Sequence, residues 1–179
     1  TQIGALSTTQ VQGFATAQLN AMTTTEIATF NTTQIANLTT TQIKGLATTA
    51  ITALTTTQIG AMTTTNLQQL SGTQLSALTT TAVATLSTTQ VGSLTGTQIG
   101  GLTTTAFSAL TTTQIGSLTT TQIKSLSTTE MSGLTTTQVG ALTTIQMGVL
   151  TDPQLDALTT TAVAAFSTSQ IGALTKTQI

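Results

Sequence analysis

Hydroxyl groups dominate the chemistry open to this chain: 54 of its 179 residues are Thr. A hydroxyl becomes a nucleophile only beside a base that takes its proton, and there is no His and no Cys. The candidate bases are Glu26, Glu130, Asp152 and Asp156. They are scattered and read as solvated substitutions in a neutral sequence, since carboxylates rarely stay buried unpaired. Asp152 and Asp156 stand at i and i+4 and would share a helix face, enough for a weak cation contact at most, because calcium takes about six to eight oxygens. The Gly- and Asp-rich calcium nonapeptide of parallel β-helices is absent. No catalytic residue, cofactor-binding residue or metal ligand is assigned, and the expectation is a protein that is not an enzyme.

What positions these hydroxyls is a repeat, and its period is eight. From Ser7 to Leu174 the chain reads as 21 consecutive octads of the form [ST]-T-T-Q-Φ-x-x-L, with Φ apolar and no insertion or deletion. Position one is Ser or Thr except at Ala15, Asn31 and Ala47. Position four is mostly Gln. Position five is always apolar, from Val11 and Leu19 to Ile171 and Ile179. Position eight is always Leu, Met or Phe, and positions six and seven hold most of the Gly. Residues 1–179 are thus expected to form a single uninterrupted array. Both ends fall mid-octad without the polar caps that terminal repeats carry, which reads as a window cut from a longer array.

The period excludes two simple structures. Eight residues turn an α-helix by two turns plus about 80°, so an apolar stripe would swing around one continuous helix within a few octads. In a flat strand, positions five and eight would face opposite sides. A short helix restarting in every octad fits better. In Leu86–Val91, Ser87 can accept from the N–H of Gln90 as an N-cap. Gln90 can reach back to the N–H of Ser87, closing a capping box, while Leu86 and Val91 form a hydrophobic staple. The same reading makes Ser7, Thr23, Thr39, Thr55, Ser87, Thr111, Thr119, Ser127 and Thr135 N-caps. Gln10, Gln42, Gln58, Gln90, Gln114, Gln122 and Gln138 are the returning arms of the box. Asn31 can cap; Ala15 and Ala47 cannot, a loss of about 1 kcal/mol each. Pro153 falls at the second helical position, where its missing N–H is harmless. Gly92, Gly100, Gly101, Gly116, Gly140 and Gly172 suit a chain reversal at the helix end or a close approach of neighbouring turns.

One octad cannot hold itself, so neighbours must stack. The predicted fold is all-α: a superhelical solenoid of very short capped helices, one per octad. A β-solenoid is the alternative, because Thr and Ile favour strands. The core is expected at positions five and eight, represented by Ile43, Leu46, Ile59, Val91, Leu94, Ile115, Leu118, Ile123, Leu126, Val139 and Leu142, with Thr and Gln outside. Phe14, Phe30, Phe107 and Phe166 read as packing variants of the same positions. Lys44 and Lys124 share position six, which reads as an exposed face. The Gln position is replaced at Glu26, Ala50, Ala82, Ala106, Glu130 and Ala162, at spacings of 24 to 32 residues. Their mean, about 27, suggests a superhelical turn of about 3.4 octads, and with ~10 Å between packed turns a rod on the order of 65 Å long.

Composition limits the function classes. Charged residues are 4% of the chain, against about 25% in ordinary globular domains. The net charge of −1 and three lysines offer no basic patch, so nucleic acid is not an expected partner. No apolar run approaches the ~18 residues of a membrane span. Disordered chains are poor in apolar residues and rich in net charge, whereas this chain is 38% hydrophobic and nearly neutral.

Strings such as LTTTQIGSLTTTQIKSL, Leu110 to Leu126, resemble the octapeptide (LTTxQI-type) repeat regions of giant bacterial surface or secreted, adhesin-like proteins. The resemblance runs the length of the chain. It implies an extracellular or bacterial cell-surface location and an array-like architectural role. A perfect octad array with no reactive side chains is expected to be a structural fibre, filament or adhesin stalk, and its uncapped repeat ends invite self-association of identical repeats into filaments or bundles. A second expectation is a binding module: Thr clusters resemble O-glycosylated stalks, and a repeated hydroxyl surface could bind ice.

Overall fold

The computed structural model describes residues 2–178, so Ile179 lies outside the described residues. Among these there are 21 α-helices of four to six residues, preceded by a 3-10 turn at Ile3–Ala5, and no strand. The β-solenoid alternative is thereby removed. Each octad from Ser7 to Leu174 contributes one helix.

The helix boundaries follow from the caps. Ser87 has φ −68° and ψ 158°, extended backbone that lets its hydroxyl fold over the first turn. Leu94, which ends the same octad, has φ −64° and ψ 143°. Two extended residues, positions eight and one, therefore separate this helix from the next, and at other junctions one or two further residues intervene. This corrects the expected role of glycine at positions six and seven. No described residue has positive φ, glycine included, so Gly92, Gly100, Gly101, Gly116, Gly140 and Gly172 reverse nothing. A left-handed residue has no place where the next cap, two or three residues on, demands extended backbone.

Some of these glycines serve close approach instead. A Cβ on Gly100 would collide with the backbone carbonyl of Ser125, and one on Gly45 with the Thr16 side chain. Around Gly60, Gly140 and Gly172 there is open space.

The chain forms two compact units, Thr1–Leu94 and Thr95–Ile179. In the first, each helix packs on the helix three before it: Thr56–Ala61 on Thr32–Ala36, then Thr80–Thr85 on Thr56–Ala61. In the second, Thr120–Ser125 packs on Gly96–Ile99 and Asp152–Asp156 on Thr128–Ser132 by the same rule. Each unit is thus a helical solenoid. Its core is the predicted one: Ile43, Leu46, Ile59, Val91 and Leu94 in the first unit, and Ile115, Leu118, Ile123, Leu126, Val139 and Leu142 in the second, are all buried.

The core departs from prediction where no later turn among the described residues can cover it. Val163 and Ile171, both at position five, are 43% and 50% exposed. Phe14 and Phe166 are half-buried, whereas Phe30 and Phe107 are buried. Lys44 and Lys124 are exposed.

Candidate structural site: the glutamine ladder

A helix of five residues is nearly all terminus. An α-helix leaves about four N–H groups and four carbonyls without intrahelical partners, so here most backbone groups need help from outside the helix. The caps supply the first part. Ser7, Thr23, Thr39, Thr55, Ser87, Thr111, Thr119, Ser127 and Thr135 each accept from the backbone N–H three residues on. Gln10, Gln42, Gln58, Gln90, Gln114, Gln122 and Gln138 accept the N–H of their cap residues through Oε1 at 2.7–3.0 Å. Asn31 caps through Oδ1 at 2.9 Å. At Thr151, before Pro153, only the Gln half of the box is made, at 2.9 Å.

The fourth-position side chains were expected outside, and this is the main correction. Gln34 and Gln122 are each 1% exposed, and Gln42, Gln58, Gln114 and Gln146 are equally out of reach of solvent. The reason is a second set of bonds made by the amide nitrogen. Nε2 of Gln42 donates to the carbonyls of Val11 at 2.8 Å and Phe14 at 3.0 Å. Nε2 of Gln58 donates to Ile27 at 2.9 Å and Phe30 at 2.8 Å. In the second unit, Gln146 reaches Ile115 and Leu118, Gln154 reaches Ile123 and Leu126, and Gln170 reaches Val139 and Leu142, all at 2.8–2.9 Å. The acceptors are positions five and eight of an octad one turn back, with the position-six carbonyl joining at Gln90 (Gly60, 3.1 Å) and standing in for position five at Gln138 (Ser108, 3.1 Å). Each of these glutamines thus ties the N-terminus of its own helix to the C-terminus of a helix beneath it in the same unit. Gln10 and Gln18, in the first turn, are exposed.

The spacing of these bonds measures the turn. Ladder amides reach back 28 and 31 residues. Position-six side chains reach forward 25: Gln12 to the Asn37 carbonyl, Asn20 to Gly45 and Gln68 to Ser93, at 2.8–2.9 Å. Within a unit, one turn therefore takes between three and four octads, and the 27-residue spacing of the substitutions falls inside that interval.

Substituted positions show what the ladder needs. Asn66 closes the box at 3.0 Å, but its shorter arm reaches only the Leu38 carbonyl, at 3.2 Å. The octad of Ala47 lacks both cap hydroxyl and Gln; there Asn20, from the turn below, accepts the Ala47 N–H at 2.8 Å. Serines and threonines at position seven also carry a role that sequence reasoning missed. The hydroxyls of Thr85, Ser93, Ser117 and Ser125 fold back on the position-four carbonyl at 2.7 Å.

The carboxylates divide by burial. Glu26, in the first turn, is exposed, and the Thr23 N–H and hydroxyl hold its carboxyl below the usual range. Glu130 is not the solvated substitution expected. It is 2% exposed, and burial pushes its carboxyl up against the opposing pull of its bonds to Ser127. Asp152 and Asp156 are exposed. Among the described residues, no group of three or more His, Cys, Asp or Glu could hold a metal ion, and no helix is long and apolar enough to cross a membrane.

Stacked one-octad helices, cross-tied by side-chain amides, define an all-α solenoid repeat protein. A family model described as the ALTTAQ repeat matches residues 11–48, 72–104, 98–128 and 153–179, and the chain belongs to that family. The letters of that name follow positions seven to four of the octad, as in Ala141–Gln146 (ALTTIQ), and so span both halves of the capping box. No curated protein and no solved structure matches the chain.

Proposed function

We propose that this array is architectural: a segment of an extracellular or cell-surface fibre, filament or stalk, without catalytic activity. The observation that carries the reading is the ladder. Its bonds repeat octad by octad, so octads can be added without changing any internal contact of those already stacked. The hydroxyls that would have to act as nucleophiles at position one are already engaged as helix caps. Self-association fits the same geometry. Copies carrying the same octads could repeat between them the amide-to-carbonyl contacts made inside each unit. Electron microscopy and small-angle scattering of chains with increasing octad number test this. Particle length should grow linearly with octad number, and filaments should form as concentration rises. A particle whose longest dimension is independent of octad number, or a chain found only inside the cell by surface proteolysis, would end the proposal.

A second reading has its own observation. Thr112, Thr113, Thr120, Thr121, Thr128, Thr129, Thr136 and Thr137, at positions two and three of successive octads, are all exposed. Such a surface could carry O-glycans or bind ice. Intact mass of the native protein and a thermal-hysteresis measurement separate this reading from a purely architectural one.

A further inference from the structure

One residue in the second unit cannot do what its ladder position requires. Glu130 stands where Gln138, Gln146, Gln154 and Gln170 present an amide. Its Oε2 accepts the Ser127 N–H at 2.7 Å and the Ser127 hydroxyl at 3.0 Å. Its Oε1 is buried with no hydrogen-bond partner. In this register the amides of Gln146 and Gln154 donate to carbonyls 31 and 28 residues back. For Glu130 these are Ile99 and Leu102, in the same unit. An ionised carboxylate has acceptors only, so lone pairs would be turned toward lone pairs; a protonated one has a single O–H donor.

We propose that Glu130 is a built-in proton sensor: in the folded chain it is held as the neutral acid, its Oε1 hydroxyl donating to the Ile99 or Leu102 carbonyl, so that this turn is tied in acid and loosened as pH rises. The proton comes from solvent and returns to it. No opposite charge substitutes for it. The helix Thr128–Ser132 packs against Thr104–Ser108 and Asp152–Asp156. Thr104–Ser108 and Gly96–Ile99 carry no ionisable side chain. Asp152 and Asp156 are exposed and of the wrong sign, and Lys124, the cation nearest in sequence, is exposed. The sign follows from linkage. The unfolded carboxyl titrates near 4.5 and the folded one higher, so stability is full below 4.5 and falls until the folded group itself ionises.

Thermal and urea unfolding of the full chain and of Glu130→Gln, followed by circular dichroism from pH 4 to pH 8, test the proposal. Inside the titration window the wild-type folding constant should fall by up to about tenfold per pH unit. Glu130→Gln, which restores the amide, should be level there and the more stable protein at pH 8. Glu130→Ala should also be level, and it is expected to fold because Ala82, Ala106 and Ala162 occupy the same position naturally. The exposed carboxylates are common to all three proteins, so the difference isolates position 130. Parallel pH curves for wild type and Glu130→Gln, or a Glu130 carboxyl carbon resonance titrating at or below 4.5, would overturn it. Recovery of the wild type alone at pH 8 on adding calcium would overturn it as well, by showing that a cation and not a proton meets those carbonyls.

Discussion

At the scale of single residues, the fold turns on one side chain having two ends. A capping box is satisfied by Glu or Gln alike, yet from Gln10 to Gln178 the fourth position is Gln 15 times and Glu twice. The amide donates at any pH, whereas a carboxyl donates only when protonated, and the donated bonds join one turn to the next. Removing it leaves buried carbonyls without that donor, a loss of about 1–3 kcal/mol per unsatisfied group. Gln146→Ala should therefore cost about 2–4 kcal/mol in urea unfolding, with Ser87→Ala near 1 kcal/mol as the loss of a cap alone. Equal losses would mean that the amide does nothing beyond capping. The cap half of this arrangement is legible from the sequence, because capping is local and its spacing is printed in most octads. The cross-turn half is not, since acceptors 28 and 31 residues away leave no mark on the octad itself. Its trace is indirect: the preference for an amide where a carboxylate would cap as well.

At the scale of the element, helix length is set by competition between consecutive caps. Each helix must end where the next cap residue takes up extended backbone, which leaves four to six helical residues where an isolated helix of fewer than about 12 is marginal in water. The predicted glycine reversals fail for the same reason. What glycine does instead differs from octad to octad and is set by the neighbouring turns, the one below at Gly45 and the one above at Gly100. Gly60→Ala, in open space within Thr56–Ala61, should stabilise by about 0.5–1 kcal/mol. Gly100→Ala, against the Ser125 carbonyl, should destabilise by about 1–3 kcal/mol through overpacking. Circular dichroism melts of the two variants check the opposed signs. Two stabilising substitutions would show that the turns do not approach as closely as described.

At the scale of the whole molecule, the scarcity of charge lets individual carboxylates shape the pH response. With no His and only four acidic residues and three lysines, very few groups titrate between pH 3 and pH 9. Glu26 and Glu130 act in opposite directions. The folded Glu26 carboxyl lies below its ordinary 4.5, so its contribution is present above that value and is lost as pH falls through the folded one. Glu130 lies above 4.5, so its contribution is lost as pH rises. Folding should therefore be most stable near pH 4.5, more acidic than the roughly pH 5–8 at which most proteins are most stable. That optimum almost coincides with the isoelectric point of about 4.8, where neutral chains associate most readily, so melting curves from pH 2.5 to pH 9 are best recorded on dilute protein. Glu130→Gln should flatten the alkaline limb and leave the acid one. Glu26→Gln should weaken the acid limb, and only modestly, because Glu26 is exposed and solvent screens its bonds. A stability maximum at pH 7 that neither substitution moves would show that the two carboxylates do not govern the profile.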